Sequence, residues 1–123
     1  RKTPIDSTLA ADFQASTINK KIPDWYFNRV VAESMKAPLY VWQQALYGVT
    51  QTDFRNTLPL IKVPTLILWG DKDTYTLRPA QDLLVSLIPG SRLKVYNDTG
   101  HALHWEEPEQ FADDVLEFIG ENY

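Results

Sequence analysis

Val63-Pro64-Thr65-Leu66-Ile67-Leu68-Trp69-Gly70-Asp71-Lys72-Asp73 is an apolar run closed by a polar turn. Its apolar side chains do not alternate with polar ones. A strand apolar on both faces needs neighbours on both sides and helices above and below, the environment of a parallel sheet. The residues after Asp73 have the matching rhythm. Pro79 predicts a helix start, with Ala80, Leu83, Leu84, Leu87 and Ile88 facing the sheet, and Pro89-Gly90 stops it. Arg92-Leu93-Lys94-Val95-Tyr96 alternates as an edge strand does. Pro108 opens a last helix whose inward residues are read as Phe111, Ala112, Val115, Leu116, Phe118 and Ile119, with Glu106, Glu107 and Glu109 near its positive end. The order is β-α-β-loop-α, an α/β pattern whose parallel crossover is right-handed. Two strands are too few for a stable sheet, which normally needs about three or more. Further strands are therefore expected from an N-terminal half or from a second chain, a homodimer being one form of the latter.

Upstream the style changes. Asp6 or Ser7 can cap a helix carrying Leu9, Ala10, Phe13 and Ile18. Ile22-Pro23-Asp24 restarts the chain, with Asp24 as N-cap of a helix through Tyr26, Phe27, Val30, Val31 and Ser34. Pro38 opens a third helix with Leu39, Trp42, Ala45, Leu46 and Val49 on one face. The aromatics Trp25, Tyr26, Phe27, Tyr40, Trp42 and Tyr47 read mostly as packing residues, some of which would line an apolar pocket if these helices form a cap. The charge shifts too. Residues 1–62 carry eight Lys and Arg against five Asp and Glu, whereas residues 63–123 carry four against eleven. The sequence thus divides into a helical segment, 1–57, and an α/β segment, 58–123.

Both strands of a parallel sheet point the same way, so the loops after them open on one edge, where ligands bind. Those loops are Gly70-Asp71-Lys72-Asp73-Thr74 and Asn97-Asp98-Thr99-Gly100-His101. They place Asp73 and His101 on one rim. A carboxylate beside an imidazole fixes its tautomer and leaves the other ring nitrogen as a base, two-thirds of a hydrolytic relay. Asp71 is the rival acid and reads as a solvated turn residue. Asp98 reads as an Asx-turn residue, and His104 as a buried hydrogen-bonding brace of the loop. A metal site of His101, His104 and Glu106 has suitable residue types but lacks the helical spacing of such sites.

Residues 63–73, with the turn G-x-x-D, resemble the penultimate strand of the α/β-hydrolase fold. Thr99-Gly100-His101-Ala102-Leu103-His104-Trp105-Glu106-Glu107-Pro108-Glu109-Gln110-Phe111 resembles that family's terminal G-H…E-x-P-x-x-F segment. The resemblance covers about residues 58–120, and residues 1–57 resemble the helical cap that many members insert before this strand. It implies the C-terminal portion of the sheet, two strands with flanking helices, preceded by a cap. Asp73 would be the triad acid and His101 the general base, with no metal or organic cofactor required. Family members often continue D-x-x-V-P after the acid. Here Asp73-Thr74-Tyr75-Thr76-Leu77 stands instead, and Tyr75 is placed to narrow a pocket or bond across it.

The family's nucleophile sits on a sharp strand-to-helix elbow, G-x-S-x-G in the esterase branch. The five glycines are 48, 70, 90, 100 and 120, and no pair four positions apart brackets a serine. The expectation is an inactive chain whose parent is a serine esterase acting on small apolar ester or acyl substrates. Two alternatives stay open: an aspartate nucleophile, as in haloalkane dehalogenases and epoxide hydrolases, and a binding or assembly module without catalysis. Net charge −4 argues against nucleic acid and anionic membrane as partners. The apolar run at 63–69 is too short to span a bilayer. The chain opens Arg1-Lys2-Thr3-Pro4, without a secretory signal, and any targeting segment would lie upstream. No cysteine is present, which fits a reducing, cytoplasmic setting and removes thiolate ligands and a Cys nucleophile.

Overall fold

A computed structural model describes residues 3–123. The chain divides into two compact units: the residues up to Ser16 with Ile22–Asp53, and Thr17–Lys21 with Phe54–Tyr123. The division falls four residues before the sequence boundary at 57/58. The short segment 17–21 belongs with the α/β unit although it runs between two helices of the other.

In the first unit, α1 (Ser7–Ser16) starts where Asp6 accepts from the backbone N–H groups of Thr8, at 2.9 Å, and Leu9, at 3.2 Å. Such a cap satisfies donors that have no partner inside the helix. The buried residues of α1 are Ala10 and Gln14, while Leu9 and Phe13 are exposed. Gln14 donates to the Ser34 hydroxyl at 2.8 Å, linking α1 to α2 (Asp24–Ser34). Pro23, not Asp24, is the residue before α2, so Asp24 lies inside the first turn. There its charge still meets the positive helix end. Pro38 precedes α3 (Leu39–Gln51) and forms an antiparallel bridge with Pro4. Phe13 meets Trp42 edge to face, with centroids 5.1 Å apart. The apolar face expected of α3 is covered only in part: Leu39 and Trp42 are half-buried, whereas Leu46 and Val49 are exposed, Val49 at 76%. Trp25, Tyr40 and Tyr47 are exposed as well, which corrects their reading as packing residues.

The second unit holds a 3-10 turn at Leu58–Leu60 and a sheet of two parallel strands, β1 (Leu66–Gly70) and β2 (Arg92–Tyr96). Leu66 pairs with Arg92 and Gly70 with Tyr96. The strand starts three residues later than the apolar run, because Pro64 has no N–H to give to a ladder. Ladder bonding begins where the Thr65 carbonyl accepts from the Arg92 N–H at 3.0 Å. The crossover helix α4 (Arg78–Leu87) ends before Gly90, whose φ of 71° is the left-handed conformation that glycine adopts freely. After β2 come α5 (Leu103–Glu106) and α6 (Pro108–Asn122).

The inward face of α6 is narrower than its apolar pattern. Phe111, Val115 and Phe118 are half-buried at helical spacing, whereas Leu116 and Ile119 are exposed. Between them Asp114 is buried, taking a hydrogen bond from the Tyr96 hydroxyl and an ion pair from Lys94. A buried carboxylate needs such partners to remain charged. Burial pushes Asp114 up, but Lys94 and Tyr96 outweigh that and hold it below the ordinary carboxylate value.

Candidate active site

Two glycines bring the loops after β1 and β2 together. A Cβ on Gly70 would lie 2.3 Å from the carbonyl oxygens of Thr99 and Gly100, and no side chain fits that approach. The Lys72 N–H donates to the Thr99 carbonyl at 2.9 Å and the Asp71 N–H to the Tyr96 carbonyl at 3.0 Å. The loops therefore run side by side, as the parallel order predicts. Asp73 and His101, 28 positions apart, meet with Asp73 Oδ2 2.8 Å from His101 Nδ1.

The Asp73 carboxylate is fully engaged. Oδ1 accepts from the backbone N–H groups of Tyr75, at 2.7 Å, and Thr76, at 3.0 Å. Oδ2 accepts from the Thr76 hydroxyl at 2.6 Å as well as facing His101. Its side chain is 3% exposed against 45% for His101. Burial pushes its carboxyl up, but the Thr76 hydroxyl, His101 and the two backbone donors together hold it below its ordinary value. An ionised carboxylate only accepts, so Nδ1 of the neutral imidazole carries the proton and Nε2 is left with the lone pair. Thr76 is held in turn, its carbonyl accepting from the Trp69 indole at 2.7 Å. The sequence pattern does not reveal this support, since Thr76 stands there only as a departure from D-x-x-V-P.

The remaining candidates separate clearly. Asp71 is exposed, and the acid in contact with the imidazole is Asp73. Asp98 has φ 55° and is gripped by the Asn19 amide, which reaches its carbonyl at 2.9 Å and its carboxylate at 3.1 Å. Tyr75 lies beside the imidazole, with ring centroids 5.4 Å apart. His104 is exposed and packs against Trp105 and Phe111, so it is not the buried brace expected of it. Glu106 braces the loop instead, accepting from the Gly100 N–H at 2.8 Å and the Lys20 N–H at 2.6 Å. Glu107 pairs with Lys20. The side chains of Glu106 and Glu107 thus hold the segment 17–21, while Glu107 also stands at the N-cap of α6 and Glu109 in its first turn. Among the described residues, no three His, Cys, Asp or Glu side chains are grouped to hold a metal ion. No helix among them is long and apolar enough to cross a membrane.

A family model described as the alpha/beta hydrolase fold matches residues 4–108. The chain belongs to that family. Over 67 residues it is 42% identical to a 2-hydroxy-6-oxononadienedioate/2-hydroxy-6-oxononatrienedioate hydrolase 2 of Pseudomonas putida, a match covering 54% of this chain and 23% of that protein. A 2-hydroxy-6-oxononadienedioate/2-hydroxy-6-oxononatrienedioate hydrolase of Klebsiella pneumoniae is 40% identical over 67 residues, again 54% of this chain and 23% of that protein. Among solved structures, an esterase from Exiguobacterium antarcticum superposes with a TM-score of 0.86 at 25% identity, covering 93% of this chain and 42% of its own. A hydrolase from Pseudomonas aeruginosa PA01 gives 0.74 at 27% identity, covering 93% and 44%. The match spans about a quarter of the length of these curated relatives, and under half of these structures.

Proposed function

We propose that Asp73 and His101 are the acid and the general base of a serine-type hydrolase whose nucleophile lies outside this sequence. The observation that carries the reading is the 2.8 Å contact between a buried, fully bonded carboxylate and a half-exposed imidazole. Asp73 holds the ring with Nδ1 protonated and stabilises the imidazolium. His101 Nε2 takes the proton of an attacking serine hydroxyl, gives it to the leaving group, and then activates water. The substrate class is a small ester or related acyl compound. Both groups of relatives favour attack at a carbonyl carbon, one being hydrolases of 2-hydroxy-6-oxo dioates and one an esterase. The helices α1–α3 are assigned the role of a cap, and the lack of cysteine supports a reducing, cytoplasmic setting.

In this reading the 123-residue chain alone does not turn over p-nitrophenyl acetate, since a relay without its nucleophile loses several orders of magnitude in rate. In an active protein containing this sequence, His101→Ala lowers kcat by about a thousandfold or more. Hydrolysis by the chain that survives both Asp73→Ala and His101→Ala would contradict the assignment.

A further inference from the structure

The residue directly before His101 is fixed by a side chain from outside its loop, on α5. Glu106 places one carboxylate oxygen on the Gly100 N–H, at 2.8 Å, and the other on the Lys20 N–H, at 2.6 Å. At Gly100 there is little room for a side chain. A Cβ there would lie 2.8 Å from Glu106 Oε2, the Asn19 nitrogen and the Thr17 carbonyl oxygen. On the other side of His101, the Ala102 N–H donates to that same Thr17 carbonyl at 2.9 Å. The backbone on both sides of the imidazole is thus anchored on residues 17–21. Lys20 adds its ammonium to Glu107, and Asn19 holds Asp98 in its left-handed conformation.

We propose that Glu106 is a positioning residue for His101, clamping the loop 97–102 to the segment 17–21 so that Nδ1 stays within reach of Asp73. The inference rests on the reading of Asp73 and His101 as a working pair. Its chemistry is specific to a carboxylate. Two N–H donors converge on one group, and an ionised carboxylate offers an acceptor to each without a competing donor. Rotation of the chain at Gly100 would swing the imidazole off the Asp73 oxygen, and the carboxylate prevents that rotation at the adjoining peptide.

The test is nuclear magnetic resonance on a folded, active protein containing this sequence, reading exchange of the Gly100 and Lys20 amides and of the His101 Nδ1–H. In the unaltered chain both amides exchange slowly; rates matching an unstructured peptide at Gly100 would overturn the proposal without any variant. Glu106→Gln keeps the shape but turns an NH2 group toward one of the two donors. It is expected to speed exchange of one of these amides and of the His101 Nδ1–H by about tenfold, the loss of one hydrogen bond's protection. Ser34→Ala, which removes the α1–α2 bond in the other unit, is the control for general loosening and leaves the His101 signal unchanged. Asp73→Asn separates the two claims. If it alters the His101 signal while Glu106→Gln does not, the positioning role is wrong and the relay stands. If Asp73→Asn alters nothing, the relay reading fails, and this inference with it.

Discussion

The loops at the carboxyl ends of β1 and β2 and the helix α3 use their residues in opposite ways. In the loops, short polar side chains and two glycines are committed to one geometry. Asp73 accepts four hydrogen bonds, Glu106 ties down two peptides, and Gly70 lies too close to the neighbouring loop for any side chain. In α3, apolar residues sit at helical spacing, yet none is buried. The helix is specified by its pattern and its preceding proline, while its apolar face is covered only at its start, where Leu39 and Trp42 are half-buried, and Leu46 and Val49 stay exposed. A polar network is intolerant because each lost partner leaves a buried group unsatisfied. An exposed apolar face is tolerant because little is lost when it changes.

The contrast breaks most severely at Gly70. Gly70→Ala drives a methyl group into two carbonyl oxygens at 2.3 Å and is expected to cost about 3–5 kcal/mol, measured by urea denaturation. Retention of wild-type stability would mean that the loops do not approach as described. Asp73→Ala follows, leaving the Tyr75 and Thr76 N–H groups without their acceptor, for an expected loss of about 2–4 kcal/mol. Acid titration sharpens the same point. Asp73 and Asp114 are both held below the ordinary carboxylate value, so their contribution is complete above that value. It is lost as pH falls through their depressed folded-state values. Circular dichroism should therefore show acid unfolding beginning below about pH 4, and Asp73→Asn and Asp114→Asn variants should flatten it. At the small end, Leu46→Gln in α3 is expected to change stability by no more than about 0.5 kcal/mol. A loss near 2 kcal/mol would show that α3 packs as its sequence pattern suggests.

The same contrast explains how much of the molecule is legible in its sequence. Chain order and strand character put Asp73 and His101 on one rim, because parallel strands expose successive loops on the same edge. Gly90 is legible as a helix stop for a local reason, its left-handed backbone. Local patterns fail where a partner is distant. Glu106 and Lys20 are 86 positions apart, and no spacing rule joins them, so the sequence points to His104 as the brace instead. Apolar periodicity in α6 overstates its buried face, since Leu116 and Ile119 point away from the packing made by Phe111, Val115 and Phe118. The start of β1 is displaced by Pro64, whose missing N–H matters more than its apolar ring.

Whether Asp73 dictates the protonation of His101 is the central question, and nitrogen-15 shifts of the imidazole report that directly. In its neutral form, the His101 ring of the unaltered chain should carry its proton on Nδ1. Asp73→Asn, by presenting an amide donor to that nitrogen, should move the proton to Nε2. A His101 ring that keeps the same tautomer in both proteins would contradict the coupling on which the proposed chemistry depends.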